Sequence, residues 1–297
     1  MSAGEGRGGD DRRGVLVLVG TPLGNLGDLS PRAREAITGA DLLLCEDTRS
    51  PLRLMGEGAV LPPRISCFVA NEGERVPLLL ERLGRGERVV FVSEAGMPSW
   101  SDPGERLARA AIDAGFEVDV VPGPTAAATA LCLSGLPARD VRFLGFPPRG
   151  GRERAAFLED MAEETSTVIL YEAGNRSGEL CRDLAAALGE GAARRRLVIA
   201  RELTKLHQEV LRGSVAELAA RVSGALRGEV TAVLEGAAIG AGEREDPAEA
   251  GARAVWSAIA DRGLRPREKA KRIAAATGLD AREIYRALSG GAAPDEG

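Results

Sequence analysis

"VLVLVGTPLGNLGDLSPRA" (Val15 to Ala33) decides how the chain is to be read. A β-branched apolar run breaks into a loop with three glycines, Gly20, Gly24 and Gly27. A segment of helical spacing follows, opened by Ser30 and Pro31 as cap and first turn. Strand, glycine loop and helix are how a nucleotide site begins in an open α/β sheet. The loop is not G-x-G-x-x-G, and it lacks the G-K-[ST] ending of a P-loop, so no lysine waits there for a terminal phosphate. Taken alone it serves equally well as a structural turn.

Working outward, short apolar runs alternate with Ala/Glu/Arg segments. Strands are predicted at Val15–Val19, Asp41–Cys45, Ile65–Val69, Arg88–Ser93 and Val118–Val121, and helices at Pro31–Thr38, Pro51–Gly56, Arg75–Leu83 and Pro103–Ala114. This order predicts a parallel sheet with both faces covered, its ligand beyond the carboxyl ends of the strands. "GTPLGN", "EDTR" and "SEAGMP" all follow directly on predicted strands and should face one cleft. Beyond "PGPTAAATAL" the rhythm changes, with strands predicted at Arg142–Gly145, Thr167–Tyr171, Leu197–Arg201, Glu209–Arg212 and Val230–Leu234. The close pair around "ELTKLHQ" reads as a hairpin, so the second sheet is expected to be mixed.

The expected organisation is a disordered tail (1–13), a parallel-sheet α/β domain (14–123), a second α/β domain with a mixed sheet (124–236), a linker (237–250) and a small helical, basic module (251–297). In that module a turn at Thr277–Asp280 separates two short amphipathic helices. Eight Lys/Arg against three Asp/Glu between Arg262 and Arg286 leave it at +5, although the whole chain of 297 residues carries −5. The excess reads either as a solvated helical face or as phosphate contacts. Cys45, Cys67, Cys132 and Cys181 form no C-x-x-C pair and read as small core residues of a reducing cytosol. His207 is the only histidine, which argues against familiar zinc sites and a Cys-His triad; no metal is expected. The polar N-terminus does not read as a signal peptide and the apolar run after it is too short to cross a bilayer, so the expected place is the cytoplasm, with no membrane partner.

Two further segments carry chemistry. "VSEAGMPSWSDPG" (Val92 to Gly104) opens from a buried strand, with Glu94 suited to a hydroxyl pair or a cation and with Asp102 and Pro103 reading as the start of a helix. "VPGPTAAATAL" (Val121 to Leu131) enters an alanine-rich helix whose Thr125 and first amides can hold an acceptor. No phosphate-binding Lys or Arg adjoins it, which matches a small ligand with little anionic charge.

"GTPLGNLGDLSPRA", "CEDTRS", "SEAGMPSWSDPG", "VPGPTAAATALCLSGLP", "LYEAGNR", "ARELTKLHQEVLRG" and "GEVTAVLEG" stand in the order found in one family. Through them the chain resembles the ribosomal RNA methyltransferases of the tetrapyrrole methylase superfamily, from about Val15 to Gly236 and more loosely to Leu288. The resemblance implies a two-domain tetrapyrrole-methylase-like fold, S-adenosylmethionine folded into the cleft between the domains, and a homodimer. It also implies 2′-O-methylation of a cytidine ribose in small-subunit (16S) ribosomal RNA, as naked RNA or in the small subunit. Carried over, the cofactor would touch Pro22, Glu94, Ala95, Gly96, Thr125, Ala126, Tyr171, Val230 and Thr231. The RNA would meet Glu46, Asp47, Arg49, Asn71, Glu72, Arg176, Arg201, Glu202 and Lys205. Glu72 is the expected general base, with Glu46 next, and Lys205 is expected to steady the alkoxide.

The chain departs from the family pattern at Glu94 and Met97, which replace Asp and Thr, and at Gln208, which replaces Glu. Phe68, Ala70 and Asn175 stand where histidines are common. Two other readings therefore stay open: methylation of a tetrapyrrole-like small molecule, and a non-catalytic RNA-binding relative.

Overall fold

The computed structural model describes residues 14–56, 58–222, 224–238, 255 and 264–288. The expected tail and the linker from 239 onward lie outside them. One compact unit ends at Ala237 and a second begins at Ala238.

The first unit holds two five-stranded sheets. In the first, β1 (Val15–Val19), β2 (Leu42–Cys45), β3 (Arg64–Ser66), β4 (Arg88–Val92) and β5 (Glu117–Val121) lie in the order β3-β2-β4-β1-β5. All are parallel, as the unbroken apolar runs require. Val17, Val19, Leu43, Val90 and Val92 pack against α1 (Pro31–Thr38), beside α2 (Ser50–Met55). Leu16, Leu42, Leu44, Val89 and Phe91 pack on the other face against α3 (Glu72–Gly84) and α4 (Glu105–Asp113). The expectation that both faces are covered fails for β5, an edge strand whose Val120 is exposed.

Two boundaries differ for local reasons. β3 stops at Ser66 rather than Val69 because Asn71 Oδ1 accepts the Phe68 N–H at 2.7 Å and closes a turn, so α3 starts earlier than predicted. Helix α4 does not begin at Asp102–Pro103. Gly104, at φ 125°, precedes it, and Asp102 is left in the loop.

The second sheet comprises β6 (Val141–Gly145), β7 (Thr167–Ala173), β8 (Arg196–Arg201), β9 (Glu209–Ser214) and β10 (Glu229–Leu234), ordered β6-β7-β10-β8-β9. β6 and β7 are parallel and the other pairs antiparallel, the expected mixture. One face carries α5 (Ala126–Ser134), through Ala127 and Ala130. The other carries α6 (Gly151–Glu163), α7 (Ser177–Leu188) and α8 (Val215–Arg221), which the strand-led reading leaves unassigned. Cys45, Cys67 and Cys181 are core thiols as expected, whereas Cys132 lies on the solvent side of α5.

In the second unit, α9 (Pro266–Thr277) ends at Gly278, which is left-handed, and α10 (Ala281–Leu288) follows the expected turn. The Arg267 guanidinium lies 5.8 Å from the centre of the Tyr285 ring.

Strands β1 and β5 deliver their loops back to back. A Cβ on Gly123 would stand 2.8 Å from the carbonyl carbon of Gly20 and 2.9 Å from its Cα, so only glycine permits this approach. Gly123→Ala is therefore expected to lower stability by about 1–3 kcal/mol in urea melts. Gly150→Ala, where the backbone is extended and the space open, should stay within about 0.5 kcal/mol.

Candidate active site

At the carboxyl ends of β1 and β4, the Thr21 N–H donates to the Gly96 carbonyl at 2.9 Å and the Gly96 N–H returns to Thr21 at 3.1 Å. Buried Ser93 and Thr21 hydroxyls brace the pair: Ser93 Oγ donates to the Gly96 carbonyl and Thr21 Oγ1 to that of Ser93. The "GTPLGN" loop thus curls around protein. Its Asn25 N–H donates to Thr204 Oγ1 of the second lobe at 3.1 Å. A Cβ on Gly24 would meet the Lys205 stem at 2.3 Å.

Between this floor and the second sheet lies a cavity of about 300 Å³. The first lobe contributes Leu23, the Ala95–Gly96–Met97 turn, Trp100 and Asp102, and the start of α5 contributes Thr125 and Ala126. The second lobe adds Phe146, Tyr171, Glu172 and the Gly228–Thr231 stretch. Thr125 Oγ1 caps α5 by accepting from Ala128, and the Tyr171 hydroxyl accepts from the Ala127 N–H at 3.3 Å. Tyr171 is fixed edge-on to Phe143 at 4.9 Å, and Phe143 stacks on Trp100 at 4.9 Å.

The electrostatics are one-sided. Asp102 and Glu229 bring carboxylates to the cavity, and among the described residues no Lys, Arg or His lines it; Glu172 belongs to its wall through β7, with its side chain on the opposite face of the sheet from Tyr171. Burial, then repulsion from Glu46, Glu229 and Glu94, pushes the half-buried Asp102 carboxyl up to about 7. Two residues of the same loop, Ser99 and Ser101, adopt positive φ (65° and 61°), as do Glu202 (50°) and Thr204 (64°) in the loop opposite. L-residues adopt this conformation at a cost, and it concentrates where a loop is held for function.

Of the expected cofactor residues, Ala95, Gly96, Thr125, Ala126, Tyr171, Val230 and Thr231 share this wall. Pro22 is buried and does not line the cavity. Glu94 is turned outward, where Oε1 accepts from Ser50 Oγ at 2.6 Å and from the Asp47 N–H at 3.1 Å. Lys205 and Glu202 form a 3.0 Å pair at a small recess sharing Leu23, Ala126, Glu229 and Thr231 with the main cavity. Asp47, gripped by Arg49 and held down to about 2, clusters with Arg53 and Glu94. Beside them Glu46 Oε1 accepts the Glu94 N–H at 3.4 Å, and burial raises its carboxyl above the usual range.

The other expected residues are engaged elsewhere. Glu72 is buried, and its Oε1 accepts the N–H groups of Gly104, Arg106 and Leu107 at 2.9, 3.0 and 3.3 Å. It terminates α4 from another helix, the work the sequence had led one to expect of Asp102. Asn71 closes the turn before α3, Arg201 pairs with Glu209 across the hairpin at 2.6 Å, and Arg176 lines a second, adjoining cavity. Among the residues that sequence reasoning missed are Trp100, Asp102, Phe146, Glu172 and Glu229. Asp102 was masked by its resemblance to a helix cap, and Gly104 just beyond it was the available signal.

Comparison with known proteins agrees with this architecture. Residues 15–219 match the family model of the tetrapyrrole (corrin/porphyrin) methylases. The chain is 45% identical over 230 residues to the ribosomal RNA small subunit methyltransferase I of Mycobacterium bovis, covering 76% of this chain and 79% of that protein. It is 36% identical to the protein of the same name from Synechocystis sp., over 92% of this chain and 96% of that one. The uroporphyrin-III C-methyl transferase of Thermus thermophilus, solved in complex with S-adenyl homocysteine, superposes with a TM-score of 0.53 at 20% identity, covering 74% of this chain and 96% of that one. The match over most of the chain and these identities lead to one conclusion: the chain belongs to the tetrapyrrole methylase family, beside the relatives that carry the ribosomal RNA methyltransferase name.

Proposed function

We propose that the protein is an S-adenosylmethionine-dependent methyltransferase acting on the 2′-hydroxyl of a cytidine in 16S ribosomal RNA. The observation that carries this reading is the charge of the cavity, with the carboxylates of Asp102 and Glu229 and, among the described residues, no cation on its walls. Such a wall repels phosphate and suits a ligand carrying sulfonium and ammonium charges. The residues fit the cofactor: Ala95, Gly96, Thr125, Ala126, Val230 and Thr231 offer small side chains and backbone groups, and Asp102 and Glu229 the opposing charge. When bound, the cofactor supplies an electrophilic methyl group on sulfur. The name shared by the relatives supports ribosomal RNA as substrate, and the basic residues 262–286 suit a polyanion.

The chain's own part is to align the hydroxyl and take its proton. Asp102 is the group we assign to the proton, in place of Glu72. It lines the cavity, and a carboxyl near pH 7 is matched to general-base work. Lys205, paired with Glu202 at the adjoining recess, is assigned to the developing alkoxide. Arg49, Asp47, Glu46 and Arg176 remain the proposed RNA contacts, with Arg49 the most exposed of them. We read the active form as a homodimer in the cytoplasm. Phe68 and Val69, two exposed apolar neighbours, suit a covered surface, and the mass in solution checks the dimer. No helix among the described residues is long and apolar enough to cross a membrane.

Tritium from labelled S-adenosylmethionine is expected in 16S RNA or small subunits and not in tetrapyrroles. Label in tetrapyrroles alone, or in nothing while RNA binds, would replace this reading with one of its rivals. Thr125→Trp fills the cavity and should abolish cofactor binding in calorimetry while leaving the circular dichroism spectrum intact. Asp102→Asn should cut kcat by roughly 10²–10⁴-fold and remove the rise of rate with pH that ends near the Asp102 pKa. Bound cationic cofactor shifts that limb below about 7. Glu72→Gln keeps an acceptor oxygen for the α4 amides and should leave kcat within about three-fold, where a general base would lose the 10²–10⁴-fold range.

A further inference from the structure

A second cavity, of about 410 Å³, adjoins the first and shares Phe146, Glu172 and Ala173 with it. Its other walls are Pro147, Arg149, Asn175 and Arg176. Tyr171 and Glu172 are consecutive on β7, so their side chains leave opposite faces of the sheet. Tyr171 serves the first cavity beside α5. Glu172 follows Val168 and Leu170 onto the opposite face.

Glu172 is only 5% exposed. Its Oε1 accepts the Ala173 N–H at 2.9 Å, but Oε2 is buried without any hydrogen-bond partner. A buried carboxylate oxygen without a donor is costly, and a carboxylate has only acceptors to offer. What completes it must bring an N–H or O–H. The neighbouring Arg176 is already engaged, its Nη2 donating to the Arg149 carbonyl at 2.8 Å and its Nε pairing with Glu179 at 3.2 Å. Among the described residues none supplies the missing donor, which leaves that place to a ligand.

The surroundings say which kind. Phe146 is 61% exposed and offers its ring as a stacking face. Arg149 and Arg176 bring positive charge to this cavity, where the first has none. An aromatic face, cations and a buried acceptor are what a nucleotide of single-stranded RNA requires. Resting on the RNA substrate proposed above, we infer that the second cavity holds the base of the target nucleotide, with Glu172 Oε2 accepting from the exocyclic amine of cytosine. Uracil presents O4 at that position, so a carboxylate repels it, while the amine donates. Because the two cavities meet at Phe146 and Glu172, a base held here keeps its ribose beside the cavity of the methyl donor. Glu172 thus selects the nucleotide and takes no part in the proton transfer.

The test compares fluorescein-labelled twelve-residue oligocytidylate and oligouridylate at pH 8 with S-adenosylhomocysteine present, using the full chain. Wild type is expected to bind oligocytidylate roughly ten-fold more tightly. Glu172→Gln, whose carboxamide can donate to O4, should bring that ratio to about one or below it, with affinity for S-adenosylhomocysteine unchanged. Phe146→Ala should weaken both oligonucleotides by a similar factor and preserve the ratio. A wild-type ratio of one overturns the inference, whether or not the glutamine variant folds. So does an unchanged ratio in that variant, or a loss confined to S-adenosylhomocysteine affinity, which would assign Glu172 to the adenine amine instead. Failure of wild type to bind RNA at all, with the cofactor product still bound, would remove the RNA reading itself and this inference with it.

Discussion

The architecture of the site depends on how closely two loops can pass. Gly20 and Gly123 end neighbouring parallel strands with their backbones in contact, and any side chain on either would force them apart. That contact sets the depth of the cavity floor. It brings Thr21 to the Gly96 turn, and it aims the Pro-Gly-Pro segment so that α5 starts at the cavity with Thr125 and Ala126. The first sheet supplies the floor and the second sheet the opposite wall.

What the cavity can hold is then decided by charge. A glycine-lined floor at the carboxyl ends of parallel strands is shared with many phosphate-binding sites. Here the donors that would serve a phosphate are otherwise occupied. Tyr171 and Thr125 take amides of α5, Gly96 and Thr21 take each other, and Lys205 turns to Glu202. The carboxylates of Asp102 and Glu229 remain, and burial, then repulsion from Glu46, Glu229 and Glu94, lifts Asp102 to about 7. A cationic ligand relieves that repulsion. The same imbalance separates the cavity from its neighbour, where Arg149 and Arg176 supply the positive charge.

Much of this was legible in the sequence because sheet cores impose a simple pattern. The runs at Val15–Val19 and Leu42–Cys45 are buried on both faces and leave little choice of structure. The small residues at Gly96 and Ala126 marked places where a ligand or backbone comes close. The chemistry of individual carboxylates was less legible, because it depends on partners distant in the chain. Glu72 stands beside Asn71 in a segment that looked like an active-site turn, yet its oxygen is consumed by amides more than thirty residues away. Asp102 looked like a helix cap and was left free by that substitution of roles. Glu172 sat in a quoted segment, but only the burial of Oε2 without a donor sets it apart from an ordinary strand residue. Local pattern predicts elements; it does not predict which of several acids is left with nothing to bond.

The central claim is that the acidic cavity between the two sheets accepts a sulfonium ligand and refuses a phosphate. Isothermal titration of the folded full chain with S-adenosylmethionine, and separately with ATP, tests it most directly. The account predicts saturable heat with S-adenosylmethionine at one site per chain, abolished by Thr125→Trp, and none with ATP. Tight binding of ATP with no heat from S-adenosylmethionine would contradict it.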